Sequence, residues 1–178
     1  MVQASFDENR IRQLLPGAPI SGSYYRMLDS RFGSKMDEIS PSLIYGGRYN
    51  PAGEFGVLYL AIAPRCAYAE LFRQVEGVKE DLPAQVVGTF RVDLRKCLDL
   101  TDSHVVKSLG IGVADLTVHA DFQMTHQISQ AARHVGFEAL LAPSAANSEC
   151  KNLVVYKDKL LPPSFCIFDS DSVQPYEG

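Results

Sequence analysis

Tryptophan is absent from this 178-residue chain, and no stretch approaches the roughly 18 consecutive apolar residues of a membrane span. The first fifteen residues, Met1 to Leu15, carry Asp7, Glu8, Arg10 and Arg12, and lack the apolar run of a secretory signal. These two absences point to a cytoplasmic protein with no membrane partner. An excess of positive charge is also missing: the net charge is -4 and the sequence pI about 5.5. That argues against nonspecific binding to nucleic acid and leaves room for a small anionic ligand held by a few local arginines. Cysteine is scarce. Cys66, Cys97, Cys150 and Cys166 lie far apart without CxxC spacing, so a zinc site is not expected, and free thiols in a reducing cytosol are the simplest account. His104, His119, His126 and His134 form no HExxH pattern, and no metal site is expected from them either. A GxGxxG run after a strand is missing, which disfavours the usual dinucleotide fold. A GxSxG elbow is missing too, which disfavours a serine hydrolase.

What is present describes an ordinary globular domain. Apolar residues make up 46% and charged residues 21%, enough to build a core without staples in a single domain spanning 1–178. Residues 1–15 read as an amphipathic helix stopped by Pro16-Gly17. Tyr24 to Leu28 reads as a short strand. Residues 29–56 are rich in Gly, Ser, Pro and Asp and read as a long loop, a kind of segment that is usually functional or disordered. Val57 to Ala61 is a buried-type strand. Pro64 then opens a helix to about Val75, and Val86 to Val92 is a strong strand. Residues 97–102 read as a short strand with a turn, and residues 121–135 as a helix ended by Gly136. Ala139–Leu141, Leu153–Tyr156 and Phe165–Phe168 complete the strands. Strands outnumber helices and do not alternate with them, which predicts an α+β fold rather than a doubly wound parallel sheet.

One ordered set of short pieces carries more. Gly46-Gly47-Arg48-Tyr49-Asn50-Pro51, then Val57-Leu58-Tyr59-Leu60, then Ala69-Glu70 resembles the RES domain family, the toxins of RES–Xre toxin–antitoxin systems. The arginine, glutamate and serine that name the family match Arg48, Glu70 and Ser144, and a further family arginine matches Arg26 in Tyr24-Tyr25-Arg26. Tyr59 matches the tyrosine between arginine and glutamate. Leu98 to Asp102 and Asn152-Leu153-Val154 are similar to weaker signatures. Tyr49 stands where many members carry tryptophan, and its ring can fill the same flat apolar space. The resemblance covers about residues 20–170. It implies a fold similar to ADP-ribosyltransferases: a split mixed or antiparallel sheet with flanking helices around an NAD cleft. It also implies NAD+ degradation without any cofactor beyond NAD as substrate, and neutralisation by an Xre-type helix-turn-helix antitoxin that carries the DNA-binding function. A homodimer within such a complex is compatible with the sequence.

The chemistry suits these residues. Breaking the nicotinamide–ribose bond expels an already cationic group, so no general acid is needed, and one carboxylate can stabilise the oxocarbenium-like ribose. Glu70 is the candidate. Arg26 and Arg48 suit the pyrophosphate because a guanidinium fork matches phosphate geometry. Tyr59 offers a face for nicotinamide. The hydroxyl of Ser144, after Pro143, suits either a phosphate oxygen or a catalytic side chain that must be held in place.

Plainer readings stand beside these. Glu70 lies three residues before Arg73 on one helix and suits a solvated ion pair, although Cys66 and Ala67 on the same face predict partial burial. Arg26 and Arg48 suit surface charges, Tyr59 suits core packing, and Ser144 suits a simple turn. Gly46 and Gly47 suit unusual backbone angles alone. Three functions follow: NAD+ degradation with water or phosphate as acceptor, mono-ADP-ribosylation of a cellular protein, and a non-catalytic binding domain on the same fold.

Overall fold

The computed structural model describes residues 6–76 and 78–177. Of the helix expected over residues 1–15, the first part lies outside the described residues. Within them, α1 spans Glu8–Arg12, capped where the Asp7 carboxylate accepts from the Asn9 N–H at 3.0 Å. The chain then turns at Pro16-Gly17 into β1 (Ala18–Asp29). Gly17 has φ +73°, and a Cβ there would lie 2.2 Å from the Cys97 carbonyl oxygen, so only glycine fits this turn.

The expected long loop over 29–56 is largely structured. A 3-10 turn occupies Ser30–Lys35, α2 spans Ser40–Tyr45, and Gly47 and Asn50 form an antiparallel bridge. Its polar composition reflects capping and turn formation rather than lack of structure: the Ser42 hydroxyl bonds Val57 N–H and carbonyl, and Asn50 Nδ2 bonds the carbonyls of Ser42 and Phe55. Strand β2 (Leu58–Ala61) and helix α3 (Pro64–Gln74) follow, with Pro64 in the first turn as expected.

Strand β3 runs from Gln85 to Asp99, so the separate strand expected over 97–102 is its continuation. Two short helices, α4 (Ser103–Leu109) and α5 (Val113–Leu116), precede α6 (Gln123–Val135) and strands β4 (Ala139–Pro143), β5 (Lys151–Val155) and β6 (Phe165–Tyr176). Among the described residues strands therefore do not outnumber α-helices. The helices that sequence reading passed over are too short to show a helical period.

The fold is α+β: one mixed sheet with flanking helices. All pairings are antiparallel except β3 with β4. They run β1–β2–β5–β4–β3 and back to β1, so the sheet closes on itself, while β6 pairs on β3 outside that ring. Closure explains why β4 and β5 read as unbroken apolar runs: both of their faces are covered. Leu140, Ala142 and Val154 pack under α1, α4 and α6 with Ile128, Ala132 and Phe137. Ala139, Leu141, Leu153 and Val155 point the other way, onto Phe90, Leu94 and Leu60. A one-residue slip of either strand would only exchange two apolar faces, so the alternation of β3, with Phe90, Val92 and Leu94 buried and Arg91, Asp93 and Arg95 exposed, does more to fix register. Among the described residues no helix is long and apolar enough to cross a membrane.

The expectation of four free cysteines does not hold. Cys66 on α3 and Cys150 before β5 form a disulfide, their Cα atoms 5.6 Å apart and 84 residues distant in sequence. Both are buried beneath α3 with Met27, Ala61 and Val87. A separation of that length has no spacing signal, because docking α3 on the sheet is what brings the two together. Cys97 and Cys166 are free, and burial pushes the Cys166 thiol up to about 12, where it is not a nucleophile at neutral pH.

Candidate active site

Strands β1 and β2, the α2 segment and helix α3 enclose an open cavity of about 420 Å³. That lies within the usual range for small-molecule sites. Arg26, Arg48, Tyr59 and Glu70, the residues singled out in the sequence, all face it, as does Arg73. Ser144 does not line the cavity; it lies buried behind Glu70.

Glu70 is placed by three elements. Helix α3 carries it, with Cys66 and Ala67 of the same face buried, and its side chain is 22% exposed. Its Oε1 accepts from the Ser144 hydroxyl at 2.6 Å and from Asn152 Nδ2 at 2.7 Å. Its Oε2 meets only Arg73 Nη2, at 3.5 Å. One oxygen is thus locked from the β4–β5 side, and the other is not bonded from that side, on a residue that lines the cavity. Of the two uses open to Ser144, its hydroxyl makes the second: it donates to Glu70 and accepts from the Ala146 and Asn147 N–H groups, which fills its bonding capacity.

Tyr59 is both core and wall. Its hydroxyl donates to Asn50 Oδ1 at 2.8 Å and accepts from the Tyr49 N–H at 2.9 Å, and burial pushes its pKa up, so it stays a neutral phenol. Its ring explains Gly47: a Cβ there would lie 2.6 Å from the Tyr59 oxygen, a matter of close approach, whereas Gly46 has φ +71° and is needed for the turn.

The two arginines found by sequence are tied to the backbone. Arg26 Nη1 donates to the Glu38 carbonyl at 2.8 Å and to that of Met36, which fixes the chain leading to α2, and burial lowers its pKa. Arg48 lies over the Phe122 ring at 4.7 Å, and its Nη1 donates to the carbonyls of Leu116 and Val118. Burial lowers the Arg48 pKa as well, and the charge of Arg73 adds to that, with Tyr49 and Glu70 opposing. Both guanidiniums nonetheless remain cationic at neutral pH. The Arg48 backbone is held in turn by α6, where Thr125 Oγ1 donates to its carbonyl and His126 Nε2 donates to the Gly47 carbonyl at 2.7 Å.

Sequence reasoning therefore missed several working parts. Asn152, Thr125 and His126 hold the site from elements remote in sequence, and Asn50 holds it from within the same stretch. Asn50 and Asn152 stood inside quoted motifs, yet nothing local distinguishes them from turn or strand residues. Arg73 was read as an ion-pair partner of Glu70, which it is, but it also faces the cavity. Arg48 Nη2, the Tyr49 hydroxyl, Arg73 Nε and Gln85 Oε1 are buried without a partner among the described residues, and the first three belong to cavity-lining residues. Each such group costs about 1–3 kcal/mol, and the gathering of those three at one cavity marks a place built for something other than stability.

The fold and cavity define an α+β domain that presents one carboxylate among three arginines. The RES domain family model matches residues 22–164, and the chain belongs to that family. It is 40% identical over 112 residues to the probable NAD(+) phosphorylase of Mycobacterium tuberculosis (strain ATCC 25618 / H37Rv), an alignment covering 62% of this chain and 53% of that protein. The match thus spans about half the length of that curated relative. A chain of the crystal structure of the M. tuberculosis MbcT–MbcA toxin–antitoxin complex superposes with a TM-score of 0.71 at 20% identity, over 98% of this chain and 92% of that one. At that identity the likeness carries the fold alone.

Proposed function

We propose that this chain is the toxin of a toxin–antitoxin pair and that it degrades NAD+ by breaking the nicotinamide–ribose bond, with phosphate or water as acceptor. The observation that carries the reading is Glu70, with Oε1 locked by Ser144 and Asn152 and Oε2 left unbonded by them, on a residue that lines the cavity together with three arginines. As the C1′–N bond breaks, its electron pair goes to the pyridinium nitrogen, and nicotinamide leaves neutral. The ribose becomes oxocarbenium-like, and a fixed carboxylate at that point lowers the barrier electrostatically. Arg48 and Arg26 take the pyrophosphate with the donors not tied to backbone, and the Tyr59 ring takes nicotinamide. Ser144 acts through Glu70 rather than on the dinucleotide. The relative's name as a probable NAD(+) phosphorylase supports this reaction. The fold then corresponds to an ADP-ribosyltransferase-like arrangement, and the chain acts in the cytoplasm with no cofactor beyond its substrate.

The partner in this reading is an Xre-type helix-turn-helix antitoxin that covers the cavity, and the reading is compatible with a homodimer within the complex. Tyr45, which lines the cavity and is 82% exposed, with Ile44 (63% exposed) next to it in sequence, supplies apolar surface for a protein partner. The same surface supports a second reading, transfer of ADP-ribose to a docked protein.

The test is NAD+ turnover by the purified chain, with products resolved by mass spectrometry in buffers with and without phosphate. Release of nicotinamide with ADP-ribose or its phosphate is the expected result. ADP-ribose found only on protein would establish the second reading, and intact NAD+ in every buffer, with lysate as acceptor, would leave a binding domain. Ser144→Ala should slow turnover about tenfold, because Asn152 still holds Glu70 after loss of a bond contributing about 1–1.5 kcal/mol. An unchanged turnover number would mean that Asn152 alone fixes the carboxylate.

A further inference from the structure

The three arginines of the cavity differ in what already occupies them. Arg26 and Arg48 each use Nη1 on two backbone carbonyls and thereby hold the cavity walls. Among the described residues the Arg73 side chain bonds no backbone group. Its one side-chain hydrogen bond or ion pair among them is the 3.5 Å approach to Glu70 Oε2, its Nε is buried without a partner, and its side chain is 30% exposed. It stems from α3 one turn beyond Glu70. Its charge therefore sits beside the Glu70 oxygen that Ser144 and Asn152 leave unbonded, and close enough to Arg48 to lower that residue's pKa.

This placement answers an electrostatic difficulty. An anionic acceptor that attacks C1′ must approach a carboxylate, and two like charges within about 4 Å repel by roughly 1–4 kcal/mol at surface-like dielectric. Water carries no such penalty. A cation between acceptor and carboxylate removes it, and a guanidinium does so with a fork that matches phosphate oxygens. We propose that Arg73 selects the acceptor: it binds inorganic phosphate beside Oε2 of Glu70, so that phosphate rather than water takes the ribose. The inference rests on the reading that this cavity cleaves NAD+. In the step, an oxygen of hydrogen phosphate bonds to C1′ as the C1′–N bond breaks. The electron pair leaves with neutral nicotinamide, and the phosphate monoester gives its proton to solvent.

The experiment compares the wild-type chain with Arg73→Met, which keeps the apolar stem, and with Arg73→Lys, which keeps the charge without the fork. Product ratio and the KM of each substrate are measured by mass spectrometry across a phosphate series. Equilibrium dialysis with labelled inorganic phosphate, without NAD+, is run in parallel. In Arg73→Met the KM for phosphate should rise about 10- to 100-fold, the value expected for losing a charge-assisted pair, and the product should shift from ADP-ribose phosphorylated at its anomeric carbon to free ADP-ribose. The KM for NAD+ should stay within about twofold, and Arg73→Lys should fall between, because its ammonium is a point charge without the fork. A raised KM for NAD+ with an unchanged product ratio would overturn the proposal by assigning Arg73 to the dinucleotide. An equal fall in both products at unchanged phosphate KM would overturn it by reducing Arg73 to a support for Glu70. Wild type that yields free ADP-ribose alone at high phosphate would overturn it as well. Phosphate retained by wild type and lost in Arg73→Met supports the site even if NAD+ is untouched, in which case the cleavage reading fails and the anion site stands.

Discussion

Glu70→Gln is expected to reduce NAD+ cleavage about 10²- to 10⁴-fold, the range in which a positioned carboxylate contributes to catalysis. Glutamine keeps the shape, and its carbonyl oxygen can still accept from Ser144 and Asn152. What is removed is the negative charge beside the ribose as it becomes cationic. The loss should therefore fall on the turnover number, with the KM for NAD+ little changed, since the arginines and Tyr59 are untouched. Thermal unfolding should shift by only a few degrees. Single-turnover kinetics with nicotinamide release as readout would decide the matter. Activity within tenfold of wild type, in protein with an unchanged melting curve, would remove Glu70 from the chemistry.

The second large effect concerns stability. The Cys66–Cys150 bond closes a loop across 84 residues and ties the helix of Glu70 to the segment that carries Ser144 and Asn152. A cross-link of that span typically stabilises a fold by about 2–4 kcal/mol, chiefly by restricting the unfolded chain. The Cys66→Ala, Cys150→Ala double variant should therefore melt roughly 5–15 °C below the oxidised wild type. Wild type in excess dithiothreitol should lose most of the same margin, while the double variant should not respond to the reductant. Thiol counts after unfolding report the bond itself, because the oxidised chain exposes only Cys97 and Cys166. A melting midpoint indifferent to reductant, with four thiols counted in both samples, would show that the pair stays reduced. In a reducing cytosol the dithiol form would be favoured, and the Glu70 helix would then be held by packing and by the bonds of Glu70 to Ser144 and Asn152.

The extent to which the site was legible follows from how each residue is held. Glu70, Arg48, Tyr59 and Arg26 could be named because the ordered pieces that carry them resemble the RES domain family, and the chemistry that the resemblance implies suits these side chains. All four line one cavity. Their supports were not legible. Asn152 reaches Glu70 across 82 residues, Thr125 reaches Arg48 across 77, and His126 reaches Gly47 across 79. Such contacts leave no spacing in the chain, since they arise only when α3, α6 and β5 meet. The same holds for Gly47, whose need for a bare backbone comes from the Tyr59 ring rather than from its own φ.

The sequence by itself determined which segments are strands and helices where apolar periodicity was strong: β2, the middle of β3, α3, α6, β4 and β5. It also determined the α+β class, and its ordered motifs carried the resemblance to the RES domain family. Local propensity and burial period operate over a few residues, so a single chain carries them openly. Only the tertiary structure decided that the sheet closes from β3 back onto β1, that the stretch before β2 is a structured wall, and that two cysteines meet. It also decided that Ser144 stands behind Glu70 while Arg73 faces the cavity. These depend on which elements dock on which, a consequence of burying both faces of the central strands at once, and no window of sequence contains both partners.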